Sequence, residues 1–80
     1  MPIKLVFLGK LADLAGAPER EVAGPLDWAG LLAVLPDSAA EAVRAERVKL
    51  ALNGRVLPDK TSLSASDGDE IALLPPVSGG

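Results

Sequence analysis

Short apolar runs that end at glycine, proline or turn residues predict several β-strands along this chain. The first run covers residues 3–8 and stops at Gly9, which is the usual length of a strand. Asn53-Gly54 is a strong signal for a tight turn between two antiparallel strands. Strands are predicted in five places, namely 3–8, 20–23, 48–52, 55–57 and 70–74.

Apolar residues at helical spacing predict one main helix in the middle of the chain. Its apolar stripe follows the spacing i, i+3, i+4 and i+7 through Trp28, Leu31, Leu32 and Leu35. Asp27 is the predicted N-cap, and Pro36 ends the helix. The capping box Ser38-x-x-Glu41 predicts a second helix, and a short helix is predicted over 10–15.

The order of these elements predicts one α+β domain, because 80 residues leave no room for a second core. We expect a mixed sheet of four to five strands, with one main helix packed on one face. That helix can cover only one side of the sheet, so the other side needs a separate explanation.

Apolar side chains are expected on the sheet face that the helix leaves uncovered. In the first strand Val6 and Leu8 lie on the opposite side from Leu5 and Phe7. The uncovered face then carries Val6, Leu8, Ala72 and Leu74, with Val56 as a neighbour. A solvated face is normally polar, so this pattern indicates a surface for a protein partner. The alternative is that loops or the second helix cover it.

Composition and charge exclude several classes of function. Eight Lys and Arg against eleven Asp and Glu give a net charge of −3, which argues against nucleic-acid binding. No apolar stretch approaches membrane-spanning length, and no basic segment leads into an apolar run. We therefore expect neither a membrane partner nor secretion, and the cytoplasm is the expected compartment.

Cysteine and histidine are both absent from the sequence. This excludes disulfides, thiolate nucleophiles, imidazole bases and the common zinc ligand sets. The acidic segment Asp67-Gly68-Asp69-Glu70 is interpreted as a tight turn that opens a strand rather than as a metal loop. Lys49 and Lys60 are interpreted as solvated strand-edge lysines, with ion pairing at a partner interface as the alternative. We expect no metal and no cofactor bound by this chain.

The last six residues, Pro75-Pro76-Val77-Ser78-Gly79-Gly80, suggest where chemistry takes place. Two prolines favour an extended exit from the final strand, and six extended residues reach roughly 20 Å. Such a slender tail can thread into a partner's active site, where an activated terminal carboxylate would react with a sulfur or amine nucleophile. The alternative is a frayed end, since a terminal Gly-Gly arises by chance in about one chain in 200.

The segment Leu73–Gly80 resembles the C-terminus of the MoaD family, the small sulfur-carrying subunit of molybdopterin synthase. Further similarities are the segment Leu11–Gly16, the Asn53-Gly54 turn and Asp67–Glu70, so the resemblance covers essentially the whole length. The family implies a ubiquitin-like β-grasp domain over 1–74, followed by a flexible Gly-Gly tail over 75–80. This chain has Leu73-Leu74 where many relatives carry aromatic residues.

The resemblance also implies a mechanism. An E1-like enzyme would use ATP and magnesium to adenylate Gly80, and a sulfur donor of the cysteine desulfurase or rhodanese type would give a thiocarboxylate. Gly79 would let the backbone fit closely, and the catalytic side chains would belong to the large subunit, so that the chain itself is a non-catalytic carrier. Sulfur would pass to cyclic pyranopterin monophosphate, within a heterotetramer that builds the dithiolene for molybdenum cofactor biosynthesis. Contacts with the large subunit would come from Val6, Leu8, Val56, Leu74, Pro75, Pro76, Val77 and Ser78.

Three other functions remain open at this point. A carrier with the same tail chemistry could serve thiazole synthesis or another sulfur pathway. A ubiquitin-like modifier would instead form an isopeptide bond between Gly80 and target lysines. A plain binding module would use the sheet face and leave the tail idle.

Overall fold

A computed structural model describes residues 1–76 and contains a five-stranded sheet in the order β2-β1-β7-β4-β5. The strands of this sheet are β1 (Ile3–Phe7), β2 (Glu19–Val22), β4 (Lys49–Leu52), β5 (Arg55–Val56) and β7 (Glu70–Leu74). Two shorter strands, β3 (Leu26–Asp27) and β6 (Ser64–Ala65), pair separately. β1 and β7 run parallel at the centre, and the other neighbours are antiparallel. The predicted mixed sheet is confirmed.

The helices of the described chain supply the layer that covers one side of this sheet. They are α1 (Lys10–Ala15), α2 (Trp28–Val34) and α3 (Asp37–Arg44), with a 3₁₀ turn at Lys60–Ser62. Asp27 is confirmed as the N-cap of α2, because its Oδ1 accepts a hydrogen bond from the Gly30 N–H at 2.7 Å. Since α2 and α3 have similar lengths, they share the helical layer where the sequence predicts one main helix.

The capping box predicted at Ser38 is wrong. α3 begins at Asp37, and Pro36 occupies the N-cap with extended backbone (φ −58°, ψ 153°). The fixed φ of proline and the adjacent Asp37 carboxylate favour a helix start here without a side-chain cap. The Ser38 hydroxyl instead donates to the Leu14 carbonyl at 3.4 Å, which links α3 to α1.

The hydrophobic core lies between the helices and one face of the sheet. Its sheet side is formed by Ile3, Leu5, Phe7, Leu50, Ile71 and Leu73, all at most 3% exposed. The helices contribute Leu11, Leu31, Ala39 and Val43. Trp28 and Leu32 are partly buried and pack against this core, as the apolar stripe of α2 predicts.

Lys60 is not a solvated strand-edge lysine, so that interpretation is corrected. It lies in the 3₁₀ turn, where its Nζ donates to the carbonyls of Ala45 and of Val48, the latter at 2.9 Å. The same Nζ lies 5.8 Å from the centroid of the Trp28 ring, within cation–π range. Lys60 therefore ties the segment after α3 to the start of α2.

The predicted tail lies only partly within the described residues. β7 ends at Leu74, and Pro75 and Pro76 follow it, whereas Val77, Ser78, Gly79 and Gly80 lie outside the described residues. The division into a domain over 1–74 and a tail over 75–80 stays a prediction. Within residues 1–76, the helices are all too short or too polar to cross a membrane.

Candidate functional site

Apolar side chains form a row across the side of the sheet that faces away from the helices. Val6 pairs with Ala72 in the parallel ladder, Ala72 lies opposite Ala51, and Ala51 lies opposite Val56. Two larger residues, Leu8 and Leu74, continue this side toward the C-terminal end of β7. We call these six residues the outer face: Val6, Leu8, Ala51, Val56, Ala72 and Leu74.

The outer face is open and separate from the core. None of its members belongs to the buried core cluster, and Leu8 and Val56 remain 42% and 56% exposed. Val6 and Leu74 are half-buried. The placement of Val6, Leu8, Val56 and Leu74 on one side of the sheet agrees with the sequence analysis, whereas their role in partner binding stays a prediction.

Ala51 is the member of the outer face that the sequence analysis missed. It is only 6% exposed because its short side chain lies between the neighbouring strands. The signal was available in the alternation along β4, since Leu50 faces the core and Ala51 must therefore face outward.

β7 lies between β1 and β4, and the chain leaves the sheet at the C-terminal end of β7. We call this region, residues 74–76, the tail exit. The Leu8 N–H donates to the Leu73 carbonyl at 3.3 Å, so pairing with β1 continues almost to the end of β7. Pro75 then lies so close to Gly9 that a Cβ on Gly9 would be 3.3 Å from the proline ring. Gly9 also has a φ of +56°, a conformation that glycine adopts without strain.

A largely apolar cleft of about 570 Å³ lies beside the tail exit. It is lined by Leu11, Leu14, Ala42, Ala45, Val48, Pro75 and Pro76, with Lys10 as the charged residue. The sequence analysis did not find this cleft, because it exists only where α1 and α3 meet. Pro75 and Pro76, which were predicted to contact a partner, thus begin the tail in an apolar environment.

Basic residues surround the tail exit. Lys49 lies opposite Leu74 in the ladder between β4 and β7, and it lines a second hollow with Arg47, Glu46 and Pro75. Burial is the main factor that lowers the pKa of the nearby Lys60, and the positive charge of Lys49 lowers it further.

The acidic segment at the other end of β7 acts as a structural turn, which agrees with its interpretation from the sequence. The carboxylate of Asp69 accepts bonds from the Ser66 N–H at 2.8 Å and the Asn53 amide at 3.0 Å, and these two contacts lower its pKa. Asp67 accepts from the Gly24 N–H at 2.6 Å. Among residues 1–76 we find no group of three or more acidic side chains arranged to hold a metal ion.

The described residues therefore bring together an open apolar sheet face and an apolar cleft, and Pro75 and Pro76 begin the predicted tail beside both. Exposed apolar surface of this kind is typical of sites where proteins bind one another, and for this chain such binding stays a prediction. The reactive group that the sequence analysis predicts, Gly80 with its neighbour Gly79, lies outside the described residues.

The element order and sheet topology define the chain as a ubiquitin-like β-grasp domain of the α+β class. More specifically, the chain belongs to the ThiS family, whose model matches residues 5–80. The resemblance to the small subunit of molybdopterin synthase is thereby confirmed at the level of the ThiS/MoaD family of ubiquitin-like domains.

Solved structures with this fold include a complex of molybdopterin-converting factor and small archaeal modifier proteins. One is a complex of subunits 1 and 2 of molybdopterin-converting factor from Helicobacter pylori, with 26% identity and a TM-score of 0.66. The match covers 100% of the present chain and 100% of the matched chain of that complex. Another is SAMP1 from Haloferax volcanii, with 25% identity, a TM-score of 0.66 and the same coverage. Small archaeal modifier protein 1 from Methanosarcina acetivorans has 24% identity, a TM-score of 0.73 and coverage of 98% and 95%, and this last similarity shows the fold alone.

Proposed function

We propose that this chain is the sulfur-carrier subunit of molybdopterin synthase, with the sulfur held as a thiocarboxylate on Gly80. The observation that carries the proposal is the open apolar outer face, which leads through Leu74 directly into the tail exit. Such a face lets the domain dock on a partner while the tail enters that partner's active site. The family match, which extends through residue 80, supports chemistry at this end of the chain.

The activation chemistry is an exchange of one carboxylate oxygen for sulfur. A carboxylate oxygen of Gly80 bonds to the α-phosphorus of ATP and pyrophosphate leaves, with ATP and magnesium held by an E1-like enzyme. The persulfide of a cysteine desulfurase or rhodanese-type donor then attacks the Gly80 carbonyl carbon and displaces AMP, which gives an acyl disulfide. A thiol that attacks the donor's sulfur of this disulfide releases the thiocarboxylate and leaves a disulfide on the donor, whereas free sulfide displaces AMP and gives the thiocarboxylate directly. The oxygen departs with AMP, and the carrier itself needs no cofactor and no catalytic side chain.

The large subunit of molybdopterin synthase is the proposed partner. It would supply the catalytic side chains and hold cyclic pyranopterin monophosphate, to which the thiocarboxylate gives its sulfur. A ThiS/MoaD-family neighbour from Helicobacter pylori was solved as a complex of two such subunits, which supports a partner of this kind. The outer face would rest on the large subunit, and Pro75 and Pro76 would keep the tail extended on its way in.

A second candidate is a ubiquitin-like protein modifier, favoured by the similarity to SAMP1. In that case the activated Gly80 carbonyl would be attacked by a lysine amine and an isopeptide bond would form. A carrier for thiazole or another sulfur pathway differs from the main proposal only in the acceptor. All three uses require that Gly80 carries the free carboxylate.

The test is the intact mass of the chain after incubation with an E1-like enzyme, ATP, magnesium and a sulfide source. A sulfur carrier gains the mass of one oxygen replaced by sulfur, and a variant that lacks Gly80 gains nothing. Adding the large subunit and cyclic pyranopterin monophosphate should then produce the dithiolene. A chain that remains unmodified, or one that forms lysine conjugates in lysate and no thiocarboxylate, contradicts the proposal.

A further inference from the structure

Three exposed basic residues flank the point where the chain leaves the sheet. Lys10 begins α1 and lines the apolar cleft together with Pro75. Arg47 and Lys49 lie on the other side of β7, where they line the second hollow with Leu74 and Pro75. The tail thus starts between cations on both sides, and we call Lys10, Arg47 and Lys49 the basic collar.

The basic collar stands out in a chain whose net charge is −3. Among residues 1–76, Glu46 is the one acidic residue that lines the cleft or the second hollow. In the part of the chain that the structure describes, the one ion pair is Lys4–Glu19, so the collar cations have no carboxylate within ion-pairing distance there. The opposite end of β7 carries Asp67, Asp69 and Glu70, with Lys4 beside Glu70 in the ladder between β1 and β7.

We infer that the basic collar docks on an acidic rim around the partner site that receives the tail, an inference that rests on the proposed function. Two observations point to an acidic rim of the partner as the surface that the collar contacts. Acidic groups complement the positive charge of the collar, and Lys49 lies opposite Leu74 of the outer face. The six residues from Pro75 to Gly80 reach roughly 20 Å when extended. A small substrate at the end of the tail is therefore too far away for the collar, whereas the mouth of the partner's site is beside it.

This arrangement has a kinetic consequence. Exposed complementary charges mainly accelerate encounter and orient the partners, and salt screens the effect. The collar would thus bring the tail to the mouth of the active site in the correct direction before the outer face makes close contact. The same surface would serve both partners that take the tail, the activating enzyme and the large subunit.

The test compares association rate constants of charge-reversal variants by stopped flow, with the full chain and the large subunit, over a series of NaCl concentrations. Lys49→Glu should slow association about tenfold at low salt and flatten its salt dependence. Lys10→Glu should act in the same direction from the other side of the tail. Arg55→Glu is the matched control, because it makes the same charge change far from the tail exit: Arg55 lies opposite Leu52, toward the far end of β7. Lys49→Arg, which keeps the charge, should behave as the wild type.

The outcomes separate this inference from the proposed function. The collar is wrong if Lys49→Glu associates as fast as the wild type, or if Lys49→Glu and Arg55→Glu slow association equally. Either result leaves the carrier function intact. If the wild-type chain binds neither the large subunit nor the activating enzyme, both the collar and the proposed function are wrong. Thermal unfolding of each variant checks that the exposed substitutions leave the fold unchanged.

Discussion

Leu73 and Leu74 are adjacent leucines in β7 that face opposite sides of the sheet, and they allow the outer face to be tested with matched substitutions. Leu73 lies in the core and is 1% exposed, whereas Leu74 is half-buried on the outer face. We predict that Leu73→Ala weakens folding and that Leu74→Ala weakens partner binding. The same chemical change should thus have two separate effects.

The magnitudes follow from burial. Removing the buried Leu73 side chain should cost about 3 kcal/mol, which corresponds to a fall in Tm of roughly 12–24 °C for a domain of this size. Leu74→Ala should change stability by less than about 1 kcal/mol because Leu74 lies outside the core cluster. Completing the burial of a half-exposed leucine against a partner is worth about 1 kcal/mol, so its loss should raise Kd roughly fivefold.

Thermal unfolding followed by circular dichroism measures the first effect, and titration calorimetry with the large subunit measures the second. Leu74→Asp should enlarge the binding loss, since it places a charge in an apolar contact. If Leu74→Ala unfolds as readily as Leu73→Ala, Leu74 belongs to the core and the description of the outer face is wrong. If Leu74→Asp binds with unchanged affinity, the outer face is not the interface.

Three further substitutions test contacts that stabilise the fold. Gly24→Ala should lower the urea midpoint by the equivalent of about 1–3 kcal/mol, because its Cβ would lie 2.7 Å from Asp67 Oδ1; a midpoint equal to that of the wild type would refute this packing. Asp69→Asn should remove part of the acid sensitivity of folding. The lowered pKa of Asp69 stabilises the native state above the usual pKa of 3.8, and this contribution is lost as the pH falls through the lower folded value. Urea midpoints of the variant and the wild type should therefore converge as the pH is lowered. Lys60→Met keeps the apolar stem and removes the ammonium that bonds the two carbonyls after α3, so Tm should fall by several degrees, whereas the exposed Lys49→Met should leave Tm within a degree or two.

Much of the fold could be predicted from the sequence because its signals are local. Alternation in β1 and β7 gives the two faces of the sheet, and Asn53-Gly54 sets the turn between β4 and β5. Asp27 caps α2 through its own neighbouring backbone, so a short sequence window contains the whole interaction. These predictions do not depend on how distant segments meet.

The features that could not be predicted depend on tertiary contact. β3 and β6 have two residues each and are strands only because they pair across the chain. The sequence predicts that Lys60 is a solvated surface residue, whereas the structure places its ammonium beside the carbonyls that follow α3. The apolar cleft has the same origin, since Leu14 in α1 and Ala42 in α3 come from separate helices that no local pattern brings together.

We propose that this chain delivers sulfur from Gly80 to a pterin precursor on a large-subunit partner. The most direct measurement mixes purified thiocarboxylated chain with the large subunit and cyclic pyranopterin monophosphate, and follows both the mass of the carrier and the formation of dithiolene. We expect the thiocarboxylate to return to a carboxylate in step with dithiolene formation, and the chain without Gly80 to support neither. Dithiolene formation that continues without Gly80, or loss of the thiocarboxylate sulfur with no dithiolene product, would contradict it.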